Sequence, residues 1–76
     1  MQKIQLTGIA DPIKLENYID AHMVDVVYID EVKNDSIGLL VEPAIDVNKP
    51  DDKIWLQEIL QKAFLECQEH YVKIIW

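Results

Sequence analysis

The most regular spacing of apolar residues in the chain lies between Asp51 and Glu69. Apolar positions recur there at steps of three and four, the spacing of one face of an α-helix, and polar residues occupy the other side. The stripe consists of Leu56, Ile59, Leu60, Ala63 and Cys67, flanked by Trp55 and Phe64. Pro50 and two aspartates stand at its start, where fixed φ and negative charge suit a helix N-terminus. We therefore predict a long helix over residues 51–69, against which the rest of the chain packs.

The first quarter of the chain predicts a strand and a shorter helix. Residues 2–6 alternate, with Ile4 and Leu6 on one face, as in a half-buried strand that Thr7-Gly8 then interrupts. Asp11 can cap a helix whose first position is Pro12. A second helical stripe follows, made of Leu15, Tyr18, Ile19 and His22, and we expect the helix to end near Met23.

Two segments rich in β-branched residues, 24–32 and 36–42, predict a β-hairpin about a turn at Asn34-Asp35. This turn pairs Lys33 with Ser36, and the register then places Val32 opposite Ile37, Asp30 opposite Leu39 and Tyr28 opposite Val41. The face assigned to the core carries Val24, Val26, Tyr28, Val32, Ile37, Leu39 and Val41. Asp30 interrupts this face, and we expect its carboxylate to reach water or a lysine. The opposite face carries Val27, Ile29, Glu31, Leu40 and Glu42.

The last segment, residues 70–76, alternates as a final strand after the second helix, and residues 43–50 form an irregular connection with two prolines. The element order is therefore β-α-β-β-α-β in a single domain, 1–76. For this order and length we expect a ferredoxin-like α+β fold, with a four-stranded antiparallel sheet in the order 4-1-3-2 and both helices on one face. Because this fold carries many unrelated functions, it predicts no activity by itself.

Two helices on one face leave the other face of the sheet open. The residues expected to bind a partner on this face are Val27, Ile29, Leu40, Tyr71 and Ile75, and a line of Ile29, Leu40 and Ile75 should cross it. Contiguous exposed apolar surface usually marks association. The leading hypothesis is a non-enzymatic protein–protein interaction module that uses its open sheet face, an edge strand, or both, and forms a homodimer. The alternative is a set of scattered aliphatic residues screened by lysine and glutamate side chains.

Charge adds two further hypotheses. The chain has fourteen acidic residues against seven lysines, no arginine and a net charge of −7, which argues against a nucleic-acid ligand. Such a field can steer a basic protein partner or only keep the surface solvated. The carboxylates with a possible contact role are Asp11, Glu16, Asp20, Asp25, Glu31 and Asp35. If they are ordered at phosphate-like spacing, the chain could be an acidic, phage-type inhibitor of a nucleic-acid-binding protein. A regulatory domain that binds a small molecule is the remaining alternative.

Few residues are suited to catalysis or metal binding. The chain has one cysteine, two histidines and no nucleotide-binding or nucleophile motif, so we expect no enzyme and no cofactor. Cys67 and His70 could share a metal ion, but His22 would lie at the opposite end of the domain, so no metal site is predicted. We expect no membrane partner, because no apolar stretch of about 18 residues occurs, and no signal peptide, because the N-terminus lacks a long apolar segment. A single cysteine fits a reducing compartment, and we expect the cytoplasm.

Overall fold

The computed structural model describes all residues, 1–76, and has the predicted order of elements. They are β1 (Gln2–Thr7), α1 (Pro12–His22), β2 (Val27–Val32), β3 (Ser36–Val41), α2 (Pro50–Glu66) and β4 (Lys73–Ile75). The strands form one sheet in the order β2-β3-β1-β4, with every neighbouring pair antiparallel. This is the order 4-1-3-2 read from the other edge, so the predicted ferredoxin-like α+β fold is confirmed.

The core lies between the two helices and the sheet face that they cover. It is a single cluster of fifteen buried apolar residues: Ile4, Leu6, Ile9, Leu15, Ile19, Met23, Val27, Ile37, Leu39, Val41, Leu56, Leu60, Ala63, Phe64 and Cys67. The buried residues of both helices belong to the predicted stripes, but His22 is exposed, Tyr18 and Ile59 are half-buried, and Trp55 is exposed at the margin of α2. The N-terminus of α1 also follows the prediction, because the Asp11 side chain accepts a hydrogen bond from the Lys14 amide at 3.2 Å.

A β-bulge in β2 changes the predicted register of the hairpin. The turn is as expected: the Lys33 amide donates to the Ser36 carbonyl at 2.8 Å, and Val32 lies opposite Ile37. Beyond it, the pairing shifts between residues 29 and 31, leaving Asp30 as the additional residue. Since side chains alternate between faces, one additional residue reverses the face of every residue before it.

The predicted partners of Asp30 and Tyr28 are therefore wrong. Tyr28 lies opposite Leu40, and Leu39 lies opposite Ile29. The bulge turns Val27 and Ile29 toward the core, so two β-branched side chains replace the phenol and the carboxylate that a regular hairpin would bury. The strand also begins later than predicted, because the amides of residues 26 and 27 both donate to the Met23 carbonyl in a turn.

The second helix ends three residues earlier than predicted, in a Schellman motif. Gln68 adopts φ 58°, its amide donates to the Leu65 carbonyl at 3.1 Å, and the Glu69 amide donates to the Phe64 carbonyl at 2.8 Å. Glycine is the usual residue in this left-handed position, and its absence here is why the sequence gives no signal for the helix end. The reversal directs Glu69 away from the helix and toward the first loop of the chain.

Gly8 permits the chain to return beside β1. It has φ +76°, and a Cβ atom at this position would lie 2.6 Å from the Tyr71 carbonyl oxygen. No larger side chain fits there without movement of the backbone. The close approach brings residues 71–72 alongside the end of β1 and sets up the pairing of Thr7 with Lys73, where β4 begins.

Candidate protein-binding surface

On the sheet face opposite the helices, the strand registers arrange the side chains in rows that run across the strands. From β2 toward β4, one row contains Tyr28, Leu40 and Lys3; the next contains Glu31, Gly38, Gln5 and Ile75; the third contains Ser36, Thr7 and Lys73. The centre of this uncovered face is polar. Its exposed apolar side chains lie toward the two edges, on β2 and β4, whereas Leu40 on β3 is half-buried.

Two of the residues predicted for this face lie on the other side of the sheet. Val27 is only 1% exposed and belongs to the core, and Ile29 packs partly buried against it. The β2 bulge is the cause of both misplacements. Leu40 does lie on the uncovered face, half-buried between Tyr28 and Lys3. The predicted line of Ile29, Leu40 and Ile75 across the face therefore does not form.

A polar network covers the middle of the face. The Lys3 Nζ lies 2.8 Å from the Asp30 Oδ2, so an ion pair joins β1 to β2 above β3. This hydrogen bond and the negative charge of Asp30 raise the pKa of the lysine. Asp30 thus reaches a lysine as expected, although from the uncovered face and not from the core side.

Gly38 lies beneath this network and is buried although no helix covers it. A Cβ atom there would come within 3.2 Å of the Glu31 Cγ and 3.5 Å of the Gln5 Nε2. The chain's own polar side chains therefore close the centre of the sheet face against solvent, and what remains accessible lies at the edges.

At the β2 edge, the exposed aromatic side chain is held in place. The Tyr28 hydroxyl donates to the Glu42 Oε2 at 2.8 Å. This hydrogen bond, followed by the carboxylate charge, raises the pKa of the phenol. The same edge carries the bulge and the charged side chains of Asp30 and Glu31, and bulges and charges are features that discourage pairing with another strand.

The β4 edge differs in these respects. Ile75 is 54% exposed and Tyr71, two residues before the strand, is 83% exposed; Lys73 lies between them. Lys73 and Ile75 share the uncovered face of the sheet, and Tyr71 lies in the bend that leads into the strand. We call Tyr71, Lys73 and Ile75 the β4 patch. It combines exposed apolar area with an outer strand edge that has no bulge.

The six carboxylates considered as a contact surface are spread over several elements. Asp11 caps α1, Glu16 and Asp20 follow one another by one turn on this helix, and Asp25 lies in the turn that precedes β2. Asp35 lies in the hairpin turn, at the opposite end of β2 from Asp25. Its carbonyl accepts a hydrogen bond from the Ile9 amide at 2.9 Å, so this turn adjoins the loop before α1.

Glu31 lies on the other side of the sheet from the helices, with its Oε1 at 3.7 Å from the Lys33 Nζ. The structure therefore brings Asp11 and Asp35 to the same end of the sheet and separates them from Asp25, while Glu31 belongs to the uncovered face. The six carboxylates do not share one element or one face.

Glu69 is a structurally important residue that the sequence does not reveal. It is the one charged residue in the buried class, at 5% exposure. Its Oε1 accepts from the Ala10 amide at 2.8 Å and its Oε2 from the Asp11 amide at 2.9 Å. A carboxylate placed at the first residues of a helix satisfies free N–H groups and interacts favourably with the helix dipole. Its role is to join the end of α2 to the start of α1.

Cys67 is buried beside α1, with its Sγ 3.9 Å from the Lys14 carbonyl oxygen. Burial is the main cause that raises the pKa of this thiol, which lowers the fraction present as the nucleophilic thiolate. No group of three or more histidine, cysteine, aspartate or glutamate side chains is arranged to hold a metal ion. Neither helix is long and apolar enough to cross a membrane.

Comparison with protein-family models, with curated protein sequences and with solved structures gives no significant match for this chain.

Proposed function

We propose that this chain is a non-enzymatic protein–protein interaction module that self-associates at the β4 side of its uncovered sheet face. The observation that carries the proposal is the β4 patch: Ile75 is exposed on the sheet face that no helix covers, and Tyr71, in the bend that leads into β4, is 83% exposed. Aromatic residues are enriched at the centres of protein interfaces, where they bury a large area with few rotatable bonds.

The distribution of charge supports the β4 side over the rest of the surface. Residues 1–52 contain eleven acidic residues and four lysines, whereas residues 53–76 contain three of each. The first helix, which carries Glu16 and Asp20, packs against β2 and β3, on the half of the sheet remote from β4. Two copies that meet at β4 keep the carboxylates of α1 and β2 apart, which limits the repulsion between two chains of charge −7.

The cytoplasm is the location that fits this proposal, because the one thiol is unpaired and buried and a reducing compartment keeps such thiols reduced. The proposal includes no cofactor and no nucleic-acid ligand. The competing hypothesis is a basic protein as the partner, and the dependence of binding on salt concentration distinguishes it from self-association. Screening should weaken binding to a basic partner but leave self-association unchanged or slightly stronger.

The test is light scattering on size-exclusion fractions over a concentration series, at low and high salt, with two matched variants. Tyr71→Ser removes the most exposed apolar side chain of the β4 patch, and Leu65→Ser removes one of similar exposure, 71%, on α2. We expect a dimer that Tyr71→Ser weakens and Leu65→Ser does not. A wild-type chain that stays monomeric up to millimolar concentration, or equal effects of the two variants, would refute the proposal.

A further inference from the structure

The two edges of the sheet differ in their capacity to accept another strand. The β2 edge is interrupted by the bulge at Asp30 and carries charged side chains. The β4 edge pairs with β1 on one side and has no neighbouring strand on the other. An unpaired edge presents backbone N–H and C=O groups that can bind an extended strand, with side-chain pairs supplying specificity.

We propose that two copies of the chain pair antiparallel along β4, with Ile74 opposite the partner's Ile74, so that two four-stranded sheets become one of eight strands. This inference depends on the proposed self-association and specifies its geometry. The occupant of the edge is a second copy of the chain, because β4 lies remote from the acidic first helix and can pair with itself without placing like charges opposite each other.

A two-fold axis perpendicular to the sheet keeps the uncovered faces of both copies on the same side. With the axis at Ile74, all three residues of β4 lie opposite residues of the partner's β4, and Lys73 lies opposite the partner's Ile75. With the axis at Lys73, two lysines would face each other, which is unfavourable for a cross-strand pair. With the axis at Ile75, only Ile75 itself would lie opposite a residue of the partner's β4. The register centred on Ile74 is therefore the one that uses the whole strand without apposing like charges.

On the uncovered face this register brings together an isoleucine and the aliphatic part of a lysine twice, once on each side of the axis. On the helix side it places Ile74 against the partner's Ile74, and each of these side chains is half-buried in the single chain. Trp76, held with its ring 5.2 Å from the Lys53 Nζ, flanks the pair. A contact of three residues per strand is small, so we expect a weak dimer in rapid exchange with the monomer.

The register is tested by exchanging the charges of one cross-strand pair. Ile75→Lys places a lysine opposite the partner's Lys73 at two symmetry-related positions and should raise the Kd about tenfold or more. The double variant Lys73→Glu with Ile75→Lys places a glutamate opposite a lysine at both positions and should return the Kd to within about threefold of wild type. The control is Ile54→Lys, which makes the same charge change at a residue of 56% exposure on α2 and should not weaken the dimer.

The outcomes separate this inference from the function on which it rests. If the wild type dimerises but the double variant is no stronger than Ile75→Lys, the register is wrong while self-association stands. If the wild type is monomeric, both are refuted. Amide hydrogen exchange on the wild type gives a second test that needs no variant. Protection within Lys73–Ile75 should rise with protein concentration while that of β2 does not, and concentration-independent protection of β4 would overturn the pairing.

Discussion

Replacing Glu69 with alanine removes the hydrogen-bond acceptor that joins the end of α2 to the start of α1. Both carboxylate oxygens accept backbone N–H groups, at 2.8 and 2.9 Å, and the residue is 5% exposed. Hydrogen bonds to charged groups contribute about 1.5–3 kcal/mol each. Ala10 and Asp11 are exposed, so water can replace part of the loss at their amides. We therefore expect Glu69→Ala to lower the free energy of unfolding by about 2–4 kcal/mol.

This is a large fraction of the total for a domain of 76 residues, for which about 4–11 kcal/mol is typical. The corresponding fall in Tm is about 8–32 °C. The measurement is urea denaturation followed by circular dichroism, with thermal unfolding as a second readout. Glu69→Gln keeps one acceptor oxygen and should lie between the alanine variant and wild type.

Glu66→Ala is the matched control, because Glu66 is exposed and lies in the last turn of α2. A carboxylate near a helix C-terminus interacts unfavourably with the dipole, so this variant should change stability by less than about 0.5 kcal/mol or slightly increase it. Equal stabilities of Glu69→Ala and Glu66→Ala would show that the buried carboxylate does not hold the two helix ends together.

Four further predictions concern the backbone, the bulge and pH. Gly8→Ala would place a Cβ atom 2.6 Å from the Tyr71 carbonyl oxygen at a residue with positive φ, so it should lower the free energy of unfolding, measured by thermal unfolding, by at least about 2 kcal/mol. An unchanged stability would contradict the close approach of Gly8 to Tyr71. Gln68→Gly should stabilise the chain by about 0.5–1 kcal/mol, since glycine adopts φ 58° without strain, and a loss of stability would argue against the Schellman motif. Ile29→Lys should destabilise the fold by about 2–4 kcal/mol, because Ile29 packs against the core, whereas Leu40→Lys should cost less than about 1 kcal/mol. The reverse ranking would show that the β2 bulge does not turn Ile29 toward the core. A hydrogen bond from the Asn48 amide and then one from the Gln2 side chain lower the pKa of Asp46, so its contribution to stability is present above about pH 4 and is lost as the pH falls through the lower folded-state pKa. Asp46→Asn should therefore reduce the loss of stability on acidification, measured by urea denaturation over a pH series. An unchanged dependence of stability on pH would refute the assignment.

The helices and the hairpin turn are predictable from the sequence because each has a strong local signal. Three- and four-residue spacing identifies the buried stripes of both helices, and a capping aspartate followed by proline marks the start of α1. Asn34-Asp35 marks the hairpin turn, from which the pairing of Val32 with Ile37 follows. With four strands and two helices in this order, the sheet topology then has few alternatives.

The bulge is not predictable in the same way, because the segment VDVVYIDEV is β-branched in both phases. Its alternation is consistent with either face toward the core, and counting back from the turn selects the wrong one. The consequence is confined to β2: Val27 and Ile29 are misplaced, whereas Leu40 on β3 and Ile75 on β4 lie on the uncovered face as expected. The strands without a bulge keep the predicted phase.

The role of Glu69 is invisible in the sequence for a different reason. It depends on a helix end that is not marked by a glycine, and on contacts with residues that are 58 and 59 positions away in the sequence. Local patterns report which face of an element is buried, but they do not report which distant amides a side chain will reach.

Self-association of the chain at β4 is tested most directly by an NMR dilution series on the isotope-labelled wild-type chain. Backbone amide signals of residues 71–76 should shift progressively between micromolar and millimolar concentration, while those of β2 and the hairpin turn stay fixed. Shifts concentrated at β2 or α1, or spectra that do not change with concentration, would contradict the account.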